Sequence, residues 1–241
     1  MIQLLPVEGL PEIGPCDDLA ALIADAAQLE DGDVVCVAHK VVSKAEGRVV
    51  RLAEIEPSAA AHELAGEDGD ARRLEVVLRE ATRIVRSRPP LVIAETRHGF
   101  VCASAGVDAS NAPEPDSVVL LPEDPDASAV RLRDELQRRT GRSLGVVVTD
   151  TFGRAWRVGI ANVAIGAAGI EVLRDLRGCH DPVGYELHST VIALADEIAA
   201  AAELVMGKTE RIPVAIVRGL ALAGHGSAGE LIMRAEHDLF R

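Results

Sequence analysis

The sequence predicts a mixed α/β fold of the α+β kind, and three observations carry that expectation. Two runs, VVCVA at Val34–Ala38 and LGVVVT at residues 144–149, are apolar throughout, as strands covered on both faces are. Between such runs lie stretches whose apolar residues recur at the helical spacing. A chain of 241 residues, 48% of them hydrophobic, is long enough to bury a sizeable core.

Taken in order, residues 2–7 form a short strand. Asp17 and Asp18 cap an Ala- and Leu-rich helix over 19–28. The turn EDGD at 30–33 leads into the strand Val34–Ala38. Residues 57–64 and 72–85 are amphipathic helices, the second with Leu74, Val77, Leu78, Ala81 and Val85 on one face. Strands at 91–95 and 100–104 flank Arg97-His98-Gly99 as a hairpin, and 118–121 is a further strand. The Pro- and Asp-rich stretch 112–125 is a loop, followed by a helix over 126–140 with its charge outward. After the strand 144–149, residues 162–170 are small and apolar. A long Ala-rich helix over 190–206, a strand at 214–217 and a last helix over 230–239 complete the chain.

Composition excludes several functions. Lys and Arg number 25 against 38 Asp and Glu, a formal charge of −13, which disfavours a duplex nucleic-acid binder. Five aromatics, Phe100, Phe152, Trp156, Tyr185 and Phe240, are too few for base-stacking platforms; three of them fall beside the polar segments described below, as if the site rather than the core used them. Cys16, Cys36, Cys102 and Cys179 form no CxxC pair, so neither a zinc knuckle nor a disulfide framework is indicated. No signal peptide and no apolar run of about 18 residues is present, which makes the cytoplasm the expected location.

Two glycine-bearing motifs are decoys. Gly207-Lys208-Thr209 has the ending of a P-loop, but Ala202 stands where the pattern needs its first glycine, and a helix precedes it. It reads instead as a helix C-cap, with Lys208 facing the last carbonyls. GHGSAG at 224–229 fits GxGxxG, yet only 12 residues follow, too few for the second strand of a dinucleotide site. A structural turn and an anion-holding turn both remain open for it.

Three segments concentrate chemistry. VSKAEGR at 42–48 puts Lys44 in a short loop ending in Gly47, where it serves either as a phosphate contact or as exposed surface. AGVDASN at 105–111 crowds Asp108, Ser110 and Asn111, which are turn formers and also hard oxygen ligands. In VTDTFGR at 148–154, Asp150 ends an apolar strand, Thr151 adds a hydroxyl, and Arg154 and Arg157 follow. A helix N-cap by Asp150 or Thr151 is the bland reading. The joint presence of acid, hydroxyl and arginine suits phosphoryl transfer better. Asp108 and Asp150 together suit magnesium, which takes one or two carboxylates plus substrate oxygens.

At these residues the sequence resembles the coenzyme F420-0:L-glutamate ligase family. LPVEGLPEI (5–13), VVSKAEGR (41–48), AGVDASN (105–111), VVVTDTFGRAWRVG (146–159), DPVGYEL (181–187) and ADEIAAAAELVMGK (195–208) carry the resemblance, which runs over about residues 3–230. It implies an enzyme that adds L-glutamate to the lactyl-phosphate tail of a deazaflavin, F420-0 or dehydro-F420-0. The reaction it implies uses GTP, passes through an acyl phosphate, and needs Mg2+ or Mn2+ at two sites and K+. It implies a two-lobed fold of its own type, neither P-loop nor Rossmann, in an intertwined homodimer. The lobes are expected at roughly residues 1–90 plus 190–241, and 91–189, of a single ligase unit.

Carried over residue by residue, Asp108 and Asp150 resemble ligands of one metal and Thr151 a ligand of a second. Lys44 and Asn111 resemble GTP contacts. Leu10, Pro11, Glu12 and Ile13, and the stretch beginning at Met206 and Gly207, resemble segments that wrap the nucleotide. His39 and Lys40 stand where some relatives carry Ser-Thr, which spares backbone contacts but not hydroxyl ones. Lys44, Asp150 and Arg154 are the expected catalytic set, with Arg97, His98 and Arg154 as contacts for substrate phosphate or carboxylates. Some relatives fuse such a unit to a nitroreductase-like flavin domain; this chain reads as a ligase or the ligase part of a longer protein, without flavin reductase activity. A metal-dependent nucleotide or phosphoester hydrolase, and a non-catalytic nucleotide-binding module, are the competing readings of the same residues.

Overall fold

The computed structural model describes residues 1–221 and 223–239, so Phe240 lies outside the described residues. The chain runs β1 (Gln3–Pro6), α1 (Leu19–Ala26), β2 (Val34–Ala38), α2 (His39–Ala45), β3 (Val49–Arg51), α3 (Ala59–Ala65) and α4 (Ala71–Glu80). It continues through β4 (Ala81–Arg88), β5 (Leu91–Thr96), β6 (Val101–Ala103), β7 (Ser117–Val119), α5 (Pro125–Thr140), β8 (Gly145–Arg154) and β9 (Arg157–Ala168). The last elements are β10 (Arg174–Asp175), β11 (Val191–Ile192), α6 (Leu194–Met206) and β12 (Val214–Arg218), with short 3-10 turns between some of them. Among the described residues no helix is long and apolar enough to cross a membrane.

The principal sheet has the order β1-β12-β2-β8-β9. Only β2 and β8 pair in parallel, Val34 opposite Gly145 through Ala38 opposite Thr149. The long excursion between them supplies the crossover that a parallel pair requires. The two strands are apolar throughout because both faces of the sheet are covered. Val35, Val37, Val146 and Val148 point into a core closed by α1 and α5, whereas Val34, Cys36 and Val147 point into one closed by α6. A third core, from Leu52 to Leu120, lies under α3, α4 and β5. The lobes expected at 1–90 plus 190–241 and at 91–189 share the principal sheet, since β2 and β12 come from one range and β8 and β9 from the other.

Helix boundaries follow local chemistry. Asp18 accepts from the amide of Ala21, Ser58 from Ala61 and Asp124 from Ala127, each satisfying an otherwise orphaned N–H. α5 begins with Pro125 in its first turn and ends at Gly141 in the left-handed region.

Four expectations need correction. The helix expected over 72–85 stops at Glu80, and residues 81–88 become β4 paired with β5: the β-branched Thr82, Ile84 and Val85 are captured by a neighbouring edge. The helix expected over 230–239 is replaced by two 3-10 turns, Ala228–Leu231 and Ala235–His237. Lys44 belongs to helix α2, not to a loop, and is buried. β8 continues through Arg154, so neither Asp150 nor Thr151 caps a helix.

Candidate active site

The cleft lies where β2 and β8 end their parallel pairing. Beyond Ala38 the chain turns into α2, and beyond Thr149 strand β8 continues alone against β9. Side chains just past that point are thus presented at the carboxyl ends of parallel strands, the place where open α/β sheets bind ligands. The cavity has a volume of about 690 Å³. Four separate stretches wall it: Leu10–Ile13 as residues 10, 11, 12 and 13; His39, Lys40 and Lys44 of α2; Asn111 with Ala112 and Pro113; and Met206, Gly207 and Lys208 with the segment to Pro213. Thr149, Asp150 and Thr151 form its floor.

Two lysines of the cleft are paired with carboxylates. Lys40 Nζ lies 2.6 Å from Asp108 Oδ2 and donates to Ser110 Oγ at 2.6 Å. Lys44 Nζ donates to Glu12 Oε1. Burial opposes ionisation of Asp108, but the Lys40 ammonium and the Ser110 amide outweigh it and hold the carboxyl down at about 2. Burial likewise opposes ionisation of Asp150, and His39, the Thr151 amide and Lys40 together keep it below the usual carboxylate range. His39 Nε2 is 3.2 Å from Asp150 Oδ1, yet it is buried and makes no hydrogen bond among the described residues.

A chain of hydrogen bonds runs along the cleft surface through Asn162 and Glu203, which also line it. Thr151 donates to Asn162 Oδ1 at 2.8 Å, and Asn162 Nδ2 donates to Glu203 Oε2 at 2.9 Å. Lys208 Nζ comes within 3.5 Å of Thr151 Oγ1. Lys208 therefore leans into the cleft and not over the carbonyls of α6, although Gly207 does cap that helix, at a φ of +63° that suits glycine.

Several expected contacts are engaged elsewhere. Arg154 lies on the β8–β9 hairpin, exposed and not among the residues lining the cleft, and its Nη2 comes within 3.5 Å of the carbonyl of Val158. Arg97 faces Glu80 and Glu123, and His98 is held by the carbonyls of Pro122 and Glu123. Phe100 and Phe152 pack edge to face at 6.2 Å; Phe100 is buried in the α1/α5 core and Phe152 packs against it, so core packing accounts for both. The glycine turn at 224–229 is structural: the amides of Ala228 and Gly229 donate to the carboxylate of Asp126, which fills the place of an external anion.

Sequence reasoning missed Asn162 and Glu203. Asn162 was legible as the polar residue opening an apolar run. Glu203 borders the buried stripe Ile198, Ala199, Ala202 and Met206 of α6, a position that helical periodicity locates.

Among the described residues no three His, Cys, Asp or Glu side chains converge as a cage for a metal. Magnesium and manganese need no such cage when a nucleotide supplies oxygens. Asp108 and Asp150, both held anionic and both near Lys40, are hard donors of the right kind.

A family model described as F420-0:Gamma-glutamyl ligase matches residues 9–219. The coenzyme F420:L-glutamate ligase of Methanopyrus kandleri is 50% identical over 100% of this chain and 98% of its own. The ligases of the same name from Archaeoglobus fulgidus and Methanothermobacter thermautotrophicus are 45% and 43% identical, over all of this chain and 96% and 99% of theirs. The protein is thus an enzyme of the ligase class. More particularly, it belongs to the F420-0:gamma-glutamyl ligase family.

Proposed function

We propose that this chain joins L-glutamate to the lactyl-phosphate tail of F420-0 or dehydro-F420-0, with GTP as phosphoryl donor and an acyl phosphate as intermediate. The observation that carries this reading is the convergence of four separated segments on one cleft with Asp150, Lys40 and Lys44.

A carboxylate is a poor acyl donor, because oxide is a poor leaving group. In the first step a carboxylate oxygen of the tail attacks the γ-phosphorus of GTP, and the bond to the β–γ bridging oxygen breaks to release GDP. In the second the glutamate amine attacks the acyl carbon. The carbon–oxygen bond to phosphate then breaks, an amide forms, and the amine proton leaves with the phosphate. Phosphoryl transfer asks the protein chiefly for positioning and charge neutralisation. Lys40 and Lys44 do this by exchanging Asp108 and Glu12 for phosphate oxygens, and His39 behind Asp150 holds that carboxylate ionised. Residues 10–13 and 206–213 and Asn111 line the nucleotide and keep water from the acyl phosphate. Mg2+ or Mn2+, held by Asp108 and Asp150, supplies further neutralisation of phosphate charge when bound. Arg154 carries no step in this reading.

The dimer belongs to the same proposal. Val158 and Ile160 on the β8–β9 hairpin, with Val183 and Tyr185 beyond it, are exposed apolar side chains that a second copy of the chain covers. Sedimentation at micromolar concentration reads the assembly directly.

Mass spectrometry of the deazaflavin after incubation with GTP, Mg2+ and L-glutamate tests the reaction. A product heavier by one glutamyl residue, with matching GDP release, supports it. Phosphate release without glutamate incorporation replaces it with a hydrolase, and nucleotide binding without turnover replaces it with a binding module.

A further inference from the structure

A divalent cation on an alcohol oxygen needs a lone pair aimed at it and no competing positive charge beside it. Thr151 meets the first condition. Its proton is committed to Asn162 Oδ1, and the orientation of that amide is fixed because the Glu203 carboxylate can only accept, so Nδ2 faces it. The remaining lone pairs of Thr151 are therefore available to a cation.

The second condition fails. Lys208, one residue past the Gly207 cap, brings Nζ to 3.5 Å from Thr151 Oγ1. Unlike Lys40 and Lys44, it has no carboxylate within ion-pair distance among the described residues. An ion bound to the same oxygen would lie within about 5.6 Å of that ammonium. Like charges at this range in a half-desolvated cleft repel. The Asp150 side differs in sign: there two carboxylates, Asp108 and Asp150, outnumber the single ammonium of Lys40, and a divalent ion is still attracted. Lysine is a compact point charge well suited to phosphate oxygens.

We propose that Lys208 stands in place of a second divalent cation. Its ammonium rests on Thr151 and meets the phosphates of the bound nucleotide, and the loaded site holds one divalent ion per chain. This inference rests on the reading of the cleft as a nucleotide site.

Equilibrium dialysis of the purified protein against Mn2+ and excess GDP, with metal counted per chain, tests it. The wild type is expected to hold one Mn2+, and Lys208→Gln to hold two or to bind a second at least tenfold more tightly. Lys208 is exposed, and circular dichroism of the variant checks that its fold persists. The companion readout is nucleotide affinity: Lys208→Gln is expected to weaken GDP binding at low Mn2+ by about tenfold and to recover at high Mn2+. Two Mn2+ per wild-type chain, or a variant unchanged in both metal count and GDP affinity, overturns the proposal while leaving the nucleotide site standing. Failure of the wild type to bind GDP at any Mn2+ concentration removes both.

Discussion

Lys40 Nζ lies 2.6 Å from Asp108 Oδ2, so this carboxylate is neutralised by the chain's own ammonium. The pairing has a pH signature. Asp108 titrates at about 2 in the folded protein, below its ordinary value. A depressed carboxylate stabilises the fold above its unfolded pKa of about 4 and loses that contribution as pH falls through about 2. Asp108→Asn is therefore expected to be less stable than wild type at pH 6, with the difference shrinking between pH 4 and pH 2. Urea denaturation across that range measures it, and a gap independent of pH would sink the assignment.

Asp150→Asn removes the charge that His39 and Lys40 face while keeping the shape of the side chain. Ligation is expected to drop by roughly 10²- to 10³-fold, the scale of losing one preorganised electrostatic contact, with a near-native thermal transition. Turnover close to wild type at low Mg2+ would overturn the proposed role of Asp150 as a metal ligand.

The relay Glu203–Asn162–Thr151 is half-buried and fully paired. Asn162→Leu leaves the Glu203 carboxylate without its amide donor and the Thr151 hydroxyl without its acceptor, at a cost of about 1–3 kcal/mol in urea denaturation. Glu203→Gln retains an acceptor for Asn162 and is expected to cost less than half as much as Asn162→Leu.

Asp33 has no solvent exposure at all, and Arg218 grips it with Nε and Nη2 at 2.8 Å each. Arg218→Ala leaves that carboxylate buried and without its cation, so a loss of about 3–5 kcal/mol is expected. The pair joins β12 to the turn before β2, far from any chemistry, and ligation by the folded fraction should be unchanged.

Burial pushes the thiols of Cys36 and Cys102 up to about 12, whereas Cys16 and Cys179 are exposed. An aromatic disulfide reagent at pH 8 is expected to titrate two thiols quickly in the native protein and the other two only on unfolding.

What the sequence determined by itself is local. The unbroken apolar runs at Val34–Ala38 and 144–149 marked strands covered on both faces, and Asp18 marked where the first helix begins; both signals act within a few residues. Motif resemblance also named most of the cleft wall, including Lys44, Asp150 and residues 10–13. The tertiary structure decided what depends on partners distant in the chain. Residues 81–88 have helical spacing but became a strand because β5 offered an edge. Lys44 looked like surface until α2 folded it against Glu12. Asn162 and Glu203 gained their meaning only when β9 and α6 met beside Thr151, and the β8–β9 hairpin places Arg154 outside the residues that line the cleft. Hydrogen bonds and charge pairs between segments over 30 residues apart leave no periodic trace in a sequence, since their energy depends on geometry that only the assembled sheet provides.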